Sequence, residues 1–423
     1  MATPCVSPTS APSTSLSTAS SCTANSPRSC AITAPSAIRK SSRTDNGGPM
    51  SAIDRLFSDP LPLDFEQAKD PLFLEAMREA LSHHQKNSPE FASLCAEEEF
   101  DPSSLVDGED LQRIPFLFVN VFKEYQLLSV PKEEIVLALT SSGTTGSKKS
   151  QNYWDAPSLK RLDDSVLSIG NQLGLFQLEP TNYILFGYDP REALDVGTAW
   201  SDENIQRLTG GAKEVCYVLK KDAEGEYRFD LEGTLEALIR FAASNLPLRL
   251  IGFPSFMHFL VQAMKETNTP PLSLHPHSAV ITGGGWKNHR GEEIPFSDFC
   301  QELNHQLGIL PERIHDIYGL VEHGIPYFTC SKGRFHIPSF CRILIRRPGT
   351  LEVLPPGERG LMQIMSPYMR SVPTISLLTS DYARVEENCP CGLSSPTFRI
   401  LGRGGVVKHK GCAIKAAEIL GRT

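Results

Sequence analysis

The fold of this chain is decided by one stretch of ten residues, Thr140-Ser-Ser-Gly-Thr-Thr-Gly-Ser-Lys-Lys149. It follows a strand-like apolar run, Glu134-Ile-Val-Leu-Ala-Leu139. A loop of this kind offers backbone N–H groups, hydroxyls and ammonium groups to one anion, which suits the phosphates of a nucleotide. The spacing is not that of a P-loop, because Gly143 and Gly146 are only three residues apart. A flexible Ser/Gly turn is the alternative, and the density of hydroxyls and lysines favours the anion site.

The composition is that of a globular protein. The chain has 423 residues, of which 40% are hydrophobic and 21% charged, enough for one large domain or two ordinary ones. A net charge of −8 argues against a basic surface for nucleic acid. No apolar run approaches the roughly 20 residues that a transmembrane helix needs. The eleven cysteines lack the spacing of a disulfide scaffold, so we predict a reduced, cytoplasmic protein.

Residues 1–49 differ from the rest of the chain. They are dominated by Ser, Thr, Ala and Pro, and Asp45 is their first acidic residue. Such a segment buries too little apolar surface to fold, so we predict a disordered extension. Two origins are open: a transit-like peptide, or a start of translation at Met50. The second is favoured, and the fold is predicted from residue 50 onward.

From Met50 the pattern is mixed α/β. Helical periodicity is found at 159–173, 231–243 and 254–264, and strand-like runs at 183–187, 214–219, 248–252 and 278–282. This alternation predicts doubly wound, mostly parallel sheets. Beyond Tyr327 the runs are short and β-like, including 342–345 and 360–366, which predicts a smaller β-rich subdomain. An earlier helix opens at Asp70-Pro71, and His83-His84 on it is expected to be solvated.

Four segments with polar or glycine residues follow the opening loop. They are Gly283-Gly-Gly-Trp286, Asp316-Ile-Tyr-Gly-Leu-Val-Glu322, Thr379-Ser-Asp381 and Arg399-Ile-Leu-Gly-Arg403. The first lets a planar group approach the backbone, because glycine has no Cβ atom. The second supplies an aromatic face and a carboxylate, and the third a carboxylate predicted at the end of a strand. Taken singly, each segment is also common in ordinary turns and loops.

In this order and spacing, the segments resemble the adenylate-forming superfamily, which includes acyl-CoA synthetases, luciferases and peptide-synthetase adenylation domains. Within it the chain resembles most the acyl-protein synthetase family, LuxE, and next the phenylacetate-CoA-ligase-like proteins. Three segments carry this resemblance: Ile114-Pro-Phe-Leu-Phe-Val-Asn-Val-Phe-Lys123, the double serine Ser141-Ser142-Gly143, and Lys410-Gly-Cys-Ala413 near the end. The resemblance covers roughly residues 105–423.

The resemblance implies a domain organisation. Residues 50–423 would form one LuxE-like domain, with an α/β core at about 105–326, a β-rich part at about 327–400 and a short tail at 401–423. The full mobile C-terminal domain of the superfamily is expected to be absent. Its catalytic lysine would then have no counterpart by position.

The resemblance also implies the roles of the site residues. ATP phosphates would be held by Ser141, Ser142, Gly143, Thr144, Thr145, Gly146 and the catalytic Lys149. Gly283, Gly284 and Gly285 would flank the adenine, with Tyr318 stacked on it. Glu322 would hold Mg²⁺, Asp381 the ribose hydroxyls, and Arg403 the ribose or a phosphate.

Cys412 is the residue that the resemblance marks as the acyl acceptor. In the acyl-protein synthetases a cysteine near the C-terminus receives the acyl group from the adenylate and passes it to a reductase subunit. Cys412 is flanked by Lys408, Lys410 and Lys415, and nearby cations favour the nucleophilic thiolate. The alternative is a small buried residue that opens a helix.

Cys389-Pro-Cys-Gly392 is a second cysteine feature. A Cys-x-Cys turn followed by glycine can present two thiolates to zinc, and Cys330 with His336 could complete a tetrahedral site. Phenylacetate-CoA-ligase-like proteins carry a similar Cys-Pro-Cys-Gly. A turn without metal is the open alternative. If zinc binds, ligation by Cys330, His336, Cys389 and Cys391 implies a structural site.

The function expected from the resemblance is ATP-dependent activation of a carboxylic acid, a long-chain fatty acid by analogy. The acyl-AMP would transfer its acyl group to Cys412 and then to a reductase or another acceptor. Two alternatives remain: a phenylacetate-type acyl- or aryl-CoA ligase, and a nucleotide-binding relative without turnover.

Overall fold

The computed structural model of the chain describes residues 50–65, 69–141, 149–176, 179–189, 204–209, 211–221, 227–286 and 293–404. They belong to a unit that begins at Met50. The helices are α1 (Ala52–Phe57), α2 (Asp70–Asn87), α3 (Pro89–Glu97), α4 (Ala156–Gln172), α5 (Leu231–Ala243), α6 (Pro254–Glu266) and α7 (Phe296–Leu307), and residues 204–208 are also helical. In this part of the chain no helix combines the length and the apolar character needed to cross a bilayer.

Seven strands form the first sheet. They are β4 (Thr181–Tyr188), β5 (Ala212–Lys221), β6 (Tyr227–Phe229), β7 (Leu248–Gly252), β8 (Ala279–Gly283), β9 (Ile314–Tyr318) and β10 (Tyr327–Phe328). Their order is β10-β9-β8-β7-β4-β5-β6. The five central strands are parallel, and the two edge strands are antiparallel to their neighbours.

Helices cover both faces of this sheet. Successive side chains of a strand point to opposite faces, and those of β4 enter two different cores. Ile184 and Phe186 belong to the core that contains the apolar faces of α5, α6 and α7. Tyr183 and Leu185 belong to the core that contains the apolar face of α4. The prediction of a doubly wound, mostly parallel sheet is therefore confirmed.

The second sheet gives the β-rich part of the fold. Its strands are β1 (Leu117–Phe118), β11 (Phe335–His336), β12 (Arg342–Arg346), β13 (Val353–Leu354), β14 (Gly360–Met365), β15 (Ser376–Glu386) and β16 (Thr397–Arg403). The order is β11-β16-β15-β14-β12-β13, and β1 adds to β15 in parallel. A separate hairpin consists of β2 (Ile135–Thr140) and β3 (Gln151–Asp155).

The expectation that the His83-His84 pair of helix α2 is exposed to solvent was wrong for His84. Phe73, Met77 and Leu81 are buried at helical spacing, and His84 lies three residues further on the same face. Its ring is fully buried between the Ser129 hydroxyl, 2.7 Å from Nδ1, and the Met369 carbonyl, 2.9 Å from Nε2. Burial lowers the pKa of His84 to about 3, so the ring stays neutral.

The buried ring predicts a loss of stability in acid. The unfolded chain takes up a proton near pH 6.5 and folded His84 only near pH 3. Wild-type stability should therefore fall as the pH drops below about 6.5, by up to about 1.4 kcal/mol per pH unit for this one group. In His84→Gln, urea unfolding between pH 7 and 4.5 should lack this contribution. The exposed His305→Gln is the matched control, and equal slopes for His84→Gln and wild type would contradict the prediction.

Candidate active site

The opening loop leaves and re-enters the fold through the β2–β3 hairpin. The Ser141 N–H donates to the Ser150 carbonyl at 2.9 Å, and the Ser150 N–H donates to Ser141 Oγ at 3.1 Å. These two bonds hold the ends of the loop together one residue beyond the Thr140–Gln151 pair. Ser141 thus has an observed role at the base of the loop. The predicted phosphate ligands Ser142, Gly143, Thr144, Thr145 and Gly146 lie outside the described residues.

Lys149 stands at the end of this loop with its side chain exposed. It lines a cleft of about 390 Å³ together with Thr140, Gln151 and Tyr153, and residues 122–126 form the other wall. Most of the lining groups are polar or charged. The ammonium group of Lys149 is thus available to an anion at the mouth of the hairpin.

The glycine run follows β8 at the carboxyl edge of the first sheet. Gly284 and Gly285 have φ angles of 74° and 65°, a left-handed conformation that glycine adopts without strain. Gly283 is paired with Ile317 of β9, so the run lies one strand away from Tyr318. Crevices at this edge of open parallel sheets are where such folds bind ligands.

Tyr318 and Asp381 join the two sheets at this edge. The Tyr318 hydroxyl donates to Asp381 Oδ2 at 2.8 Å, and Arg403 Nε donates to Asp381 Oδ1 at 3.2 Å. Asp381 is 4% exposed, whereas the Arg403 side chain is 73% exposed. The structure therefore brings three of the predicted site residues into direct contact.

Asp381 does not end a strand, as the sequence predicted. It lies inside β15, which continues to Glu386, and its partner across the sheet is Arg403. The pairing with β14 is irregular here, since Leu361 faces Tyr382 but Gln363 faces Leu378. Such a bulge redirects side chains and is common beside active sites.

Glu322 is held through its backbone. The side chain of Asn152 in β3 donates to the carbonyls of Val321 at 2.9 Å and Glu322 at 3.0 Å. Asn152 thereby fixes the Glu322 turn to the hairpin that carries the opening loop. Asn152 was not among the predicted site residues. Its signal in the sequence is a polar residue at an inward-facing position of the strand, since Asn152 and Trp154 are both buried in β3.

The Glu322 side chain lies beside this turn, and the residue is 7% exposed. A buried carboxylate is normally paired or bound to a metal. This arrangement fits a carboxylate that binds a cation.

Two titratable groups at the carboxyl edge of the first sheet, Asp316 and Tyr318, have raised pKa values. Burial raises the pKa of Asp316 to about 6, although Thr282 Oγ1 donates to its Oδ1 at 2.8 Å. Burial, together with the neighbouring Asp381 charge, raises the pKa of Tyr318 well above its ordinary value. Tyr318 therefore remains a hydroxyl that donates to Asp381 at neutral pH.

Cys330, His336, Cys389 and Cys391 converge as the sequence proposed for a metal site. One ligand atom from each lies within 4.8 Å of the others. Cys330 Sγ is 3.7 Å from Cys389 Sγ, and Cys391 Sγ is 3.2 Å from His336 Nε2. The other histidine nitrogen, Nδ1, lies 2.8 Å from Ser395 Oγ, which leaves Nε2 facing the cluster.

Two sulfur atoms of this cluster accept hydrogen bonds from backbone N–H groups. The N–H of Lys332 points to Cys330 Sγ and that of Leu393 to Cys391 Sγ, each at 3.4 Å. Burial raises the pKa of Cys330, but hydrogen bonds from His336 and nearby N–H groups outweigh it, so the pKa is lower than usual. Burial, a hydrogen bond with Cys389 and the Cys330 charge raise the pKa of Cys391 to about 12. The predicted acyl acceptor, Cys412, lies outside the described residues.

Comparison with known proteins matches the sequence of this chain to ligases. The sequence model of the family described as acyl-protein synthetase, LuxE, matches residues 44–421. A long-chain-fatty-acid--luciferin-component ligase from Aliivibrio fischeri is 28% identical over 387 residues, 88% of this chain and 94% of that protein. A phenylacetate-coenzyme A ligase from Pseudomonas putida is 24% identical over 347 residues, 78% of this chain and 70% of that protein.

The fold has solved counterparts. 2-Hydroxyisobutyryl-CoA ligase, crystallised in the postadenylation state with 2-HIB-AMP, matches with a TM-score of 0.60 at 16% identity, over 80% of this chain and 69% of that chain. At this identity the likeness concerns the fold alone, and it confirms the predicted adenylate-forming architecture. The family match extends over most of the sequence. The chain therefore belongs to the acyl-protein synthetase family, LuxE, and the prediction that it is a ligase is confirmed.

Proposed function

We propose that this chain activates a carboxylic acid with ATP to form an acyl-adenylate. The observation that carries the proposal is the edge where Tyr318, Asp381 and Arg403 meet, one strand from Gly283. The resemblance assigns these positions to the adenosine of ATP. The name of the Aliivibrio fischeri relative supports a long-chain fatty acid as the substrate.

The chemistry is a phosphoryl substitution. The carboxylate of the acid attacks the α-phosphorus, an O–P bond forms, and pyrophosphate leaves with the electrons of the broken P–O bond. Lys149 and the N–H groups of the loop would stabilise the phosphate charge. Each Asp381 oxygen accepts one hydrogen bond from the protein and keeps a lone pair for a ribose hydroxyl.

Glu322 is the residue that would hold Mg²⁺. The residue is largely buried, and Mg²⁺ prefers oxygen ligands from one or two carboxylates and from phosphates. When bound, the ion would offset the negative charge of the phosphates. Asn152 would keep the Glu322 backbone in place relative to the phosphate loop.

The second step that we propose is transfer of the acyl group to Cys412. The thiolate attacks the acyl carbonyl, a C–S bond forms, and AMP leaves as the C–O bond breaks. The thioester would then be delivered to a reductase subunit or another acceptor. The similarity to phenylacetate-coenzyme A ligase supports one alternative, in which the thiol acceptor is coenzyme A.

We also propose that Zn²⁺ binds to Cys330, His336, Cys389 and Cys391. In a tetrahedral site with Zn–S bonds of about 2.3 Å, two sulfur atoms are about 3.7–3.8 Å apart, and the Cys330–Cys389 distance is 3.7 Å. The Ser395 contact orients the histidine for ligation. Four protein ligands would make the site structural.

The role of Glu322 can be tested with Glu322→Gln, which keeps the shape of the side chain and removes its charge. ATP–pyrophosphate exchange with a fatty acid and Mg²⁺ should fall by about 10²-fold, the usual loss when one electrostatic group of an active site is removed. Because Asn152 donates to the backbone carbonyl of Glu322 and not to its carboxylate, thermal unfolding should change little. The exposed Glu312→Gln is the control. Unchanged exchange in Glu322→Gln would refute this role.

The role of Cys412 can be tested with Cys412→Ser and a labelled fatty acid. We expect the variant to keep pyrophosphate exchange and to lose the hydroxylamine-labile label on the protein. Cys216→Ser, at a partly buried cysteine whose pKa is raised chiefly by burial, should keep both. A label that persists on Cys412→Ser would exclude this acceptor. Exchange without a label, with acyl-CoA formed on addition of coenzyme A, would favour the ligase alternative.

A further inference from the structure

The four-residue Cys/His cluster lies at the junction of the two sheets. Cys330 directly follows Thr329, and Thr329 is bonded twice to Asp316 of β9: its N–H donates to the Asp316 carbonyl at 2.9 Å, and its Oγ1 accepts from the Asp316 N–H at 2.8 Å. Cys330 is therefore fixed to the first sheet next to Asp316. In β9, Asp316 lies two residues before Tyr318.

The other three ligands belong to the second sheet. Cys389 and Cys391 lie in the connection between β15 and β16, and His336 in β11 pairs with Thr397 of β16. The same two strands carry Asp381 and Arg403 at the opposite end of their ladder. One end of the β15–β16 pair thus holds the cluster, and the other end holds the carboxylate that accepts from Tyr318.

Aromatic side chains fill the space between the cluster and the Tyr318–Asp381 contact. Phe335, next to His336, stacks on Phe398 at a centroid distance of 5.2 Å. The Tyr318 ring packs edge-on against Phe398 at 5.7 Å and against Phe335 at 6.2 Å. A displacement of β11 or of the start of β16 would therefore be transmitted to Tyr318 through direct contacts.

We propose that the metal-loaded cluster clamps the two sheets together and so positions Tyr318 and Asp381 for the nucleotide. This inference rests on the proposed function for the nucleotide and on the proposed zinc. Without a cation, the turns at Cys330 and Cys389–Cys391 lose the metal–ligand bonds that would join them across the junction. The nucleotide site would then lose affinity although none of the four ligands touches the nucleotide.

The test compares Cys391→Ser, Cys391→His and the control Cys216→Ser, all as full-length chains. Metal content is measured by mass spectrometry, and ATP affinity by calorimetric titration in the absence of acid. We expect about one zinc per chain in wild type, in Cys216→Ser and in Cys391→His, whose imidazole replaces the thiolate. Cys391→Ser should lose zinc and bind ATP about tenfold more weakly, as is usual when supporting groups around a site are removed. The KM for the acid should stay near the wild-type value.

A double-mutant cycle separates positioning from a general loss of stability. Tyr318→Phe removes the hydroxyl that donates to Asp381. If the clamp acts through this contact, Tyr318→Phe should weaken ATP binding clearly in wild type and little in Cys391→Ser. Additive losses would overturn the inference. So would zinc-free wild-type protein, a Cys330–Cys389 disulfide in its place, or unchanged ATP affinity in Cys391→Ser.

Hydrogen exchange distinguishes failure of the clamp from failure of the proposed function. Removing zinc with a chelator should lower amide protection in residues 314–328 and 397–403, and zinc addition should restore it. This readout needs neither ATP nor turnover. If wild-type protein fails to bind ATP yet shows this change, the proposed function fails and the clamp stands as a purely structural one. Unchanged protection would overturn the clamp whatever the activity.

Discussion

The candidate site depends on one hydrogen bond, from the Tyr318 hydroxyl to the Asp381 carboxylate. The two residues come from different sheets, so the site has its shape only while those sheets keep their relative position. Each partner is supported from its own side: Tyr318 by the pairing of β9 with β8 and β10, and Asp381 by Arg403 on β16. Because this hydrogen bond joins the two sheets directly, the packing of the sheets determines the geometry of the candidate site.

Other residues at this edge are positioned through their backbones. Asn152 binds the carbonyl of Glu322 and not its carboxylate. Gly284 and Gly285 turn the chain away from β8 without filling the space with side chains. His84, by contrast, is a buried polar side chain whose two ring nitrogens both have protein partners, so it serves the fold.

Local sequence patterns allowed many helices and strands to be predicted. The features that were not predicted depend on pairing between residues far apart in the sequence. The predicted helix 231–243 and strand 248–252 occur with those bounds, because their periodicity is local. Asp381 was predicted at a strand end because its partner Arg403, which extends the ladder, is 22 residues away. Asn152 was missed because its partners are carbonyls 169 and 170 residues away. The sequence named the four members of the Cys/His cluster but could not supply their distances, since Cys330 and Cys389 come from separate connections.

The parallel pairing of β1 with β15 has a consequence for how the chain reaches this fold. Leu117 lies beside Leu377, a separation of 260 residues (377 − 117). The Ser339 N–H likewise donates to the Pro62 carbonyl, and the Ser395 N–H to the Leu63 carbonyl. During synthesis, β1 and the segment around Pro62 and Leu63 therefore have no partner until the strands of the second sheet have left the ribosome. Closing such long loops slows folding and prolongs the exposure of strand edges to other chains. The second sheet therefore contains a strand pairing, β1 with β15, that can form only late in synthesis.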